Sequence, residues 1–242
     1  MLWVTETQAT SVHKTLYINS GEMVAVDGAK FPYKAFNNDT LFSATNSLIR
    51  AVAGDTLKLW IHNRDTLSHG FTIKGLTGSG IIIPAGTSWY IEQPLKSAGV
   101  FIYHDPGMFP DNTYMGLAGM IVVSDHAHKS FYWNIREHEA GINDAIANNQ
   151  SWDRDQYYPV YFTINGMSHP QLTKDTMSLI RGFVGDSLVL NIANTGLSIH
   201  PIHFHGYHAN ILYSSKYASH VGREKDTHVI HPMESLVLLV VP

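Results

Sequence analysis

The 242-residue chain contains no cysteine. That excludes disulfides, a thiolate nucleophile and a zinc-finger site, and it leaves the redox compartment undetermined. Charge is sparse as well. Lys and Arg number 16 against 20 Asp and Glu, a net −4, so a nucleic-acid partner, which favours a basic patch, is not expected. No apolar run approaches the roughly eighteen residues of a membrane span. The start, MLWVTETQAT, has neither the basic nor the apolar region of a secretory signal; a signal peptide, if the gene encodes one, is expected outside this sequence. Heptads and amphipathic helices are missing. So are the G-x-S-x-G elbow, the P-loop, H-E-x-x-H and G-x-G-x-x-G, and no Asp/Glu spacing singles out a glycosidase pair. What the chain does have is fifteen histidines, 19 glycines and 11% aromatic residues. Neutral imidazole is the commonest metal ligand, and the rest of the composition leans towards β-structure.

The organising feature is an internal repeat. SLIRAVAGDTLKLWIHN from Ser47 matches SLIRGFVGDSLVLNIAN from Ser178. Extended without a gap to Gly75 and Gly206, the two copies share 12 of 29 positions at a constant offset of 131. His69 falls on His200. A shorter match, HKTLYIN from His13 and HKSFYWN from His128, has an offset of 115. The second copy therefore carries about sixteen extra residues, read as a polar excursion of helical character over Arg136–Ser151. The boundary is expected near Ser124–His128, giving domains 1–125 and 126–242. Both copies show short apolar, β-branched and aromatic runs separated by turn signals such as Gly-Asp, the pattern of an all-β sandwich or barrel. With Pro84 set on Pro232, the first copy continues for about forty residues through GVFIYHDPGMFPDNTYMGLAGMIVV, whereas the second reaches Pro242 after about ten. About two strands lack a counterpart. The second domain is expected to be incomplete, either as a fragment or as a module whose missing strands come from elsewhere, with a hydrophobic edge left bare.

The densest histidine motif is HPIHFHG, His200–Gly206. His203 and His205 sit at i and i+2, so on a strand both imidazoles face one region. His200 lies beyond a proline bend and can serve a different centre. The competing reading is a polar strand end with solvated side chains.

HPIHFHG resembles the H-P-x-H-x-H-G signature of the last domain of multicopper oxidases, and FTING, Phe162–Gly166, resembles the strand before it. In the first copy, TLSHGF followed by YHDPGMFP and GLAGMIVV resembles the first domain of two-domain copper nitrite reductases. The resemblance implies an all-β fold of two tandem cupredoxin-like Greek-key domains, the second lacking its last strands. It implies that His200 matches a blue-copper ligand, and that His203 and His205 match ligands of the type 2 and type 3 coppers. His69 matches a blue-copper histidine, and His104 matches the type 2 ligand beside the blue-copper cysteine. That cysteine is Asp105 here. The second blue-copper histidine corresponds to Asn112 and the axial methionine to Leu117, while Thr72 and Lys74 stand opposite His203 and His205. Blue copper needs a thiolate, so no such centre forms within this chain. Asp105 is read either as a hard oxygen ligand beside His69 or as a structural carboxylate.

What survives, by the resemblance, is a three-histidine site from His104, His203 and His205 where the first domain of one subunit meets the second domain of the next. Three imidazoles with an open position suit copper, or zinc in its place. His208, His228 and His231 are further or outer ligand candidates. His62 is read as an exposed strand residue, and His13, His126, His128, His138, His169 and His220 as surface or turn residues. Met108 and Met115 are read as packing residues. Three functions stay open: a copper-binding oxidoreductase acting on a small substrate or electron donor, a metal-binding or scaffold pair that has lost electron transfer, and a multicopper oxidase with further ligands beyond Pro242. The resemblance also implies a homotrimer and a periplasmic or secreted location.

Overall fold

The computed structural model describes residues 10–125 and 127–242; His126 lies outside them. Nine strands fill the first half: β1 (Ser11–Val24), β2 (Lys30–Asn37), β3 (Ile49–Val52), β4 (Thr56–Asn63), β5 (His69–Ile73), β6 (Ile81–Ile83), β7 (Ser88–Pro94), β8 (Gly99–His104) and β9 (Ala118–Ser124), with the one-turn helix α1 (Asp111–Tyr114) between the last two. They form two sheets, of order β2-β1-β4-β7 and β3-β9-β8-β5-β6. The second half contains β10 (Lys129–His138), helix α2 (Ala140–Ala147), β11 (Tyr161–Ile164), β12 (Leu188–Asn194), β13 (His200–His203), β14 (Ala209–Ser214), β15 (Glu224–Lys225), β16 (Thr227–Ile230) and β17 (Ser235–Val240). Its sheets run β11-β10-β12-β17-β14-β15 and β13-β16. The architecture is a tandem of cupredoxin-like β-sandwiches. Among the described residues, the second has no counterpart of β8 or β9.

Period-two alternation decides which core each residue joins. On β4, Leu57, Leu59 and Ile61 are buried in the first sandwich, and Lys58, Trp60 and His62 face outward. β8 and β9 use both faces. Phe101, Tyr103, Ile121 and Val123 close the first core. Val100, Ile102, Ala118, Met120 and Val122 instead pack on Tyr132, Val189, Ala193, Met233 and Val237 of the second half. The alternate residues of β12 and β17, among them Leu190, Ile192, Leu236 and Leu238, fill the second core. Asn63 and Asn194 brace the loops after β4 and β12 with the same bonds. Asn63 Nδ2 donates to the carbonyls of Leu67 and Ile83, and Asn194 Nδ2 donates to those of Ser198 and Ile230.

Three expectations change. The excursion begins later than the polarity of Arg136–Ser151 implies, because Arg136, Glu137 and His138 finish β10 and helix starts at Ala140. All three polar residues are buried, Arg136 and His138 against the first half. Arg136 Nη1 donates to Thr113 O at 2.7 Å, and Nη2 donates to Ala118 O at 3.1 Å and Thr195 Oγ1 at 2.7 Å. His138, expected in a turn or at the surface, is enclosed by the rings of Phe31, Tyr33 and Tyr114. Neither of its ring nitrogens has a hydrogen-bond partner. His62 is half-buried in a stack with Tyr17 and Trp60.

Ile102 is buried between the two halves, so Ile102→Ala should lower unfolding free energy by about 2–5 kcal/mol in urea denaturation. Burial, with Arg136 beside it, pushes the pKa of His138 down from 6.5 to about 3. The folded state therefore keeps this imidazole neutral while the unfolded chain takes up a proton. Stability should fall as pH drops from about 6.5 towards 3, and His138→Phe should flatten that part of the profile of melting temperature against pH.

Candidate metal centre

Asp105 follows the last residue of β8 and is fully buried. Its Oδ1 accepts the backbone N–H groups of Gly70 and Gly107, both at 2.8 Å. Its Oδ2 accepts Asn112 Nδ2 at 2.8 Å and lies 2.8 Å from His69 Nδ1. Four donors use the four acceptor positions of a carboxylate. A side chain on residue 70 would collide with this carboxylate, since a Cβ there would lie 2.7 Å from Oδ1; glycine is what lets β5 approach. The other nitrogen of His69, Nε2, lies 2.8 Å from Asp65 Oδ2, and Lys34 Nζ meets the same oxygen at 2.6 Å. Burial works against a charged His69, but hydrogen bonds to Asp105 and Asp65 outweigh it and raise its pKa. Burial likewise opposes a charged Asp65; its bonds to His69 and Lys34 hold it well below the carboxylate range. Both His69 nitrogens are thus engaged within a buried chain of alternating charge.

His200, at the corresponding place in the second copy, is also tied to a carboxylate. Its Nε2 lies 2.7 Å from Oε2 of the buried Glu137. The other oxygen of Glu137 accepts the N–H groups of Leu197 and Ser198 and the hydroxyl of Tyr157. Burial disfavours the Glu137 anion, yet the bonds from His200, Ser198 and Tyr157 bring its pKa down to about 2.

The remaining expected ligands are arranged differently. The rings of His203 and His205 lie 4.8 Å apart, centroid to centroid, and both side chains are exposed. His203 Nδ1 shares a hydrogen bond of 2.9 Å with Thr227 Oγ1. His104 ends β8 in a nearly closed position. Its Nδ1 is buried without a partner, its pKa is lowered by burial, and its ring meets the edge of Phe109 at 6.3 Å. Lys74, opposite His205 in the repeat, instead donates from Nζ to the carbonyl of Met233 at 2.5 Å. Among the described residues, no three His, Asp or Glu side chains of one chain are arranged to hold a metal ion.

Of the outer candidates, His228 is buried with Nδ1 unpartnered, His231 Nδ1 pairs with Glu234 at 2.9 Å, and His208 is exposed. Met115 and Leu117 are buried and Met108 is exposed. Sequence reasoning did not single out Asp65, Lys34, Glu137 or Tyr157. The only signal was a break in the repeat, where Asp65 stands opposite Gly196.

Residues 142–242 match the family model described as multicopper oxidase. Among solved structures, a blue copper oxidase from Nitrosomonas europaea is similar at 21% identity and TM-score 0.76, over 96% of this chain and 75% of that one. A copper nitrite reductase from the same organism is similar at 19% identity and TM-score 0.71, over 96% and 84%. A laccase from Botrytis aclada is similar at 15% identity and TM-score 0.73, over 97% and 47%. No curated protein matches the chain by sequence. At these identities the structural likeness establishes the cupredoxin-like fold.

Asp105→Ala would strand His69, Asn112 and two backbone N–H groups in the interior. It should lower unfolding free energy by about 3–5 kcal/mol in urea titration. Asp105→Asn, which keeps an oxygen for the glycine N–H groups, should lose less. Equal losses would show that the two glycine bonds contribute nothing.

Proposed function

We propose that this chain, whose second half matches the multicopper oxidase family and whose fold is shared with copper oxidases and nitrite reductases, is a copper-binding oxidase-like protein with a histidine-only centre. The ligands are His104 of one copy and His203 and His205 of a neighbouring copy. The observation that carries this reading is the state of the three imidazoles: a buried Nδ1 without a partner on His104, and two adjacent outward rings on the HPIHFHG segment. Neutral imidazoles suit copper, and the depressed pKa of His104 keeps it in that form. A site shared between copies requires such complementary contributions from two chains. Nothing favours zinc over copper.

Bound copper supplies one-electron redox chemistry at such a site. The protein's own part is to hold His104 rigid at the end of β8 and to limit access through Phe109. Phe109 also lines a cavity of about 330 Å³ with Pro110, Trp152, Arg154, Tyr157, Leu197 and Pro232. Its mostly apolar walls fit a small-molecule substrate. The family match also favours a periplasmic or secreted setting; among the described residues, no helix is long and apolar enough to cross a membrane.

A second reading is a scaffold pair without electron transfer. It is favoured by His69 and His200, which stand at blue-copper positions in the resemblance and are both bonded to buried carboxylates. The two readings differ in copper content and redox activity.

The purified chain, loaded with copper and dialysed, should retain the metal with a type 2 EPR signal and weak d–d absorption. His104→Ala and His203→Ala should each cut bound copper, measured by atomic emission, to less than half. Unchanged stoichiometry in both variants sinks the shared site, and a chelator-insensitive, copper-free protein of full stability supports the scaffold.

A further inference from the structure

The outward face of the sheet β2-β1-β4-β7 is set with rings. Alternation and strand register place three cross-strand rows on it: Tyr17–His62–Ser88, Thr15–Trp60–Tyr90 and His13–Lys58–Glu92. No member of these rows is buried; Trp60 is 46% exposed and Tyr90 is 38% exposed. The rings brace one another. Trp60 lies 5.0 Å from Tyr90 and 6.2 Å from His62, and His62 lies 5.0 Å from Tyr17, centroid to centroid. The Tyr90 hydroxyl donates to Glu92 Oε1 at 2.6 Å, and His62 Nδ1 shares a hydrogen bond with Ser88 Oγ. Side chains held in this way lose little freedom when a ligand settles on them. Among the described residues, the Lys58 ammonium and Glu92 Oε2 have no partner. Beside Trp60 the face dips into a largely polar hollow of about 450 Å³, whose walls include His13, Thr15, Asn38 and Lys58.

We propose that this face binds an uncharged, β-1,4-linked polysaccharide, with one sugar ring lying on the Trp60–Tyr90 pair and the next seated in the hollow. The face of an aromatic ring is negative and attracts the polarised C–H bonds on the flat side of a pyranose. A β-1,4-linked chain is a flat ribbon that presents those C–H groups on its faces and its hydroxyls along its edges. Thr15, Ser88, Lys58 and Glu92 stand beside the rings and supply the donors and acceptors that such edges need. Lys58 and Glu92 are cross-strand neighbours of opposite sign, so the row they share has no net charge from this pair, and an uncharged chain is the complement. A protein partner fits less well. The centre of a protein interface is depleted of Lys, Glu and Ser, and here all three are interleaved with the rings. The face belongs to a sheet that contains neither β8 nor β13. The proposal therefore uses none of His104, His203 and His205 and holds whether or not copper binds.

The probes are cellohexaose, xylohexaose and chitohexaose, each titrated into the full chain by isothermal calorimetry. Saturable binding of at least one is expected, with quenching of tryptophan fluorescence. Trp60→Ala and Tyr90→Ala should each weaken it about tenfold, with melting temperatures measured alongside to show that both variants are folded. Trp60→Tyr, which keeps a ring in place, should recover most of the loss. Polygalacturonate oligomers, which carry a carboxylate on every ring, should bind more weakly than the best uncharged probe. Three results overturn the proposal: no binding of any of the three probes to the folded chain, affinity unchanged in both alanine variants, or tighter binding of polygalacturonate. Self-association seen in sedimentation and abolished by Trp60→Ala would also overturn it, by assigning the face to a second copy.

Discussion

Strand β8 carries three duties in six residues. Phe101 and Tyr103 close the first core, Val100 and Ile102 close the junction with the second half, and the strand ends on His104, immediately before Asp105. Alternation makes this possible, because successive side chains leave a strand on opposite faces. It also removes slack. A residue squeezed between two packed layers has no solvent side towards which to relax. The candidate ligand His104 therefore sits on one of the most constrained strands in the molecule, the support that a metal site requires of its surroundings.

The electrostatics beside it follow from one substitution in kind. Where the resemblance calls for a thiolate there is a carboxylate, and Asp105 is satisfied by two backbone amides, an asparagine and His69. Buried charge is tolerated only when paired and hydrogen-bonded, and the chain from Asp105 through His69 and Asp65 to Lys34 meets that condition. His200 and Glu137 repeat the arrangement in the other half with unrelated residues. Two of the candidate histidines thus serve as ion-pair partners, while His104 keeps a buried nitrogen without a partner.

How much of this was legible beforehand depended on the range of the interaction. The β-fold was legible, because alternation and turn dipeptides are local and β4 reads directly as Leu57, Leu59 and Ile61 inward. The proximity of His203 and His205 followed from spacing of two. The partners of the histidines did not. Glu137 lies 63 residues from His200 and Lys34 lies 31 from Asp65, and nothing local marks either pair. Polarity misled at Arg136–His138, where charge was read as exposure. Those side chains are buried because backbone carbonyls at the junction accept the guanidinium and a ring of aromatics takes the imidazole.

Arg136 has a consequence for the order in which the molecule is made. Its guanidinium is the donor for the carbonyls of Thr113, in α1, and Ala118, the first residue of β9, in the stretch that follows the candidate ligand. During synthesis from the N-terminus, that segment and the outward face of β8 leave the ribosome before Arg136 exists. Until β10 arrives, the first half has an apolar wall facing solvent and a loop without its clasp. Transiently exposed apolar surface of this kind is prone to aggregation. The pace at which the next few tens of residues emerge then sets how long the outward face of β8 and β9 stays uncovered.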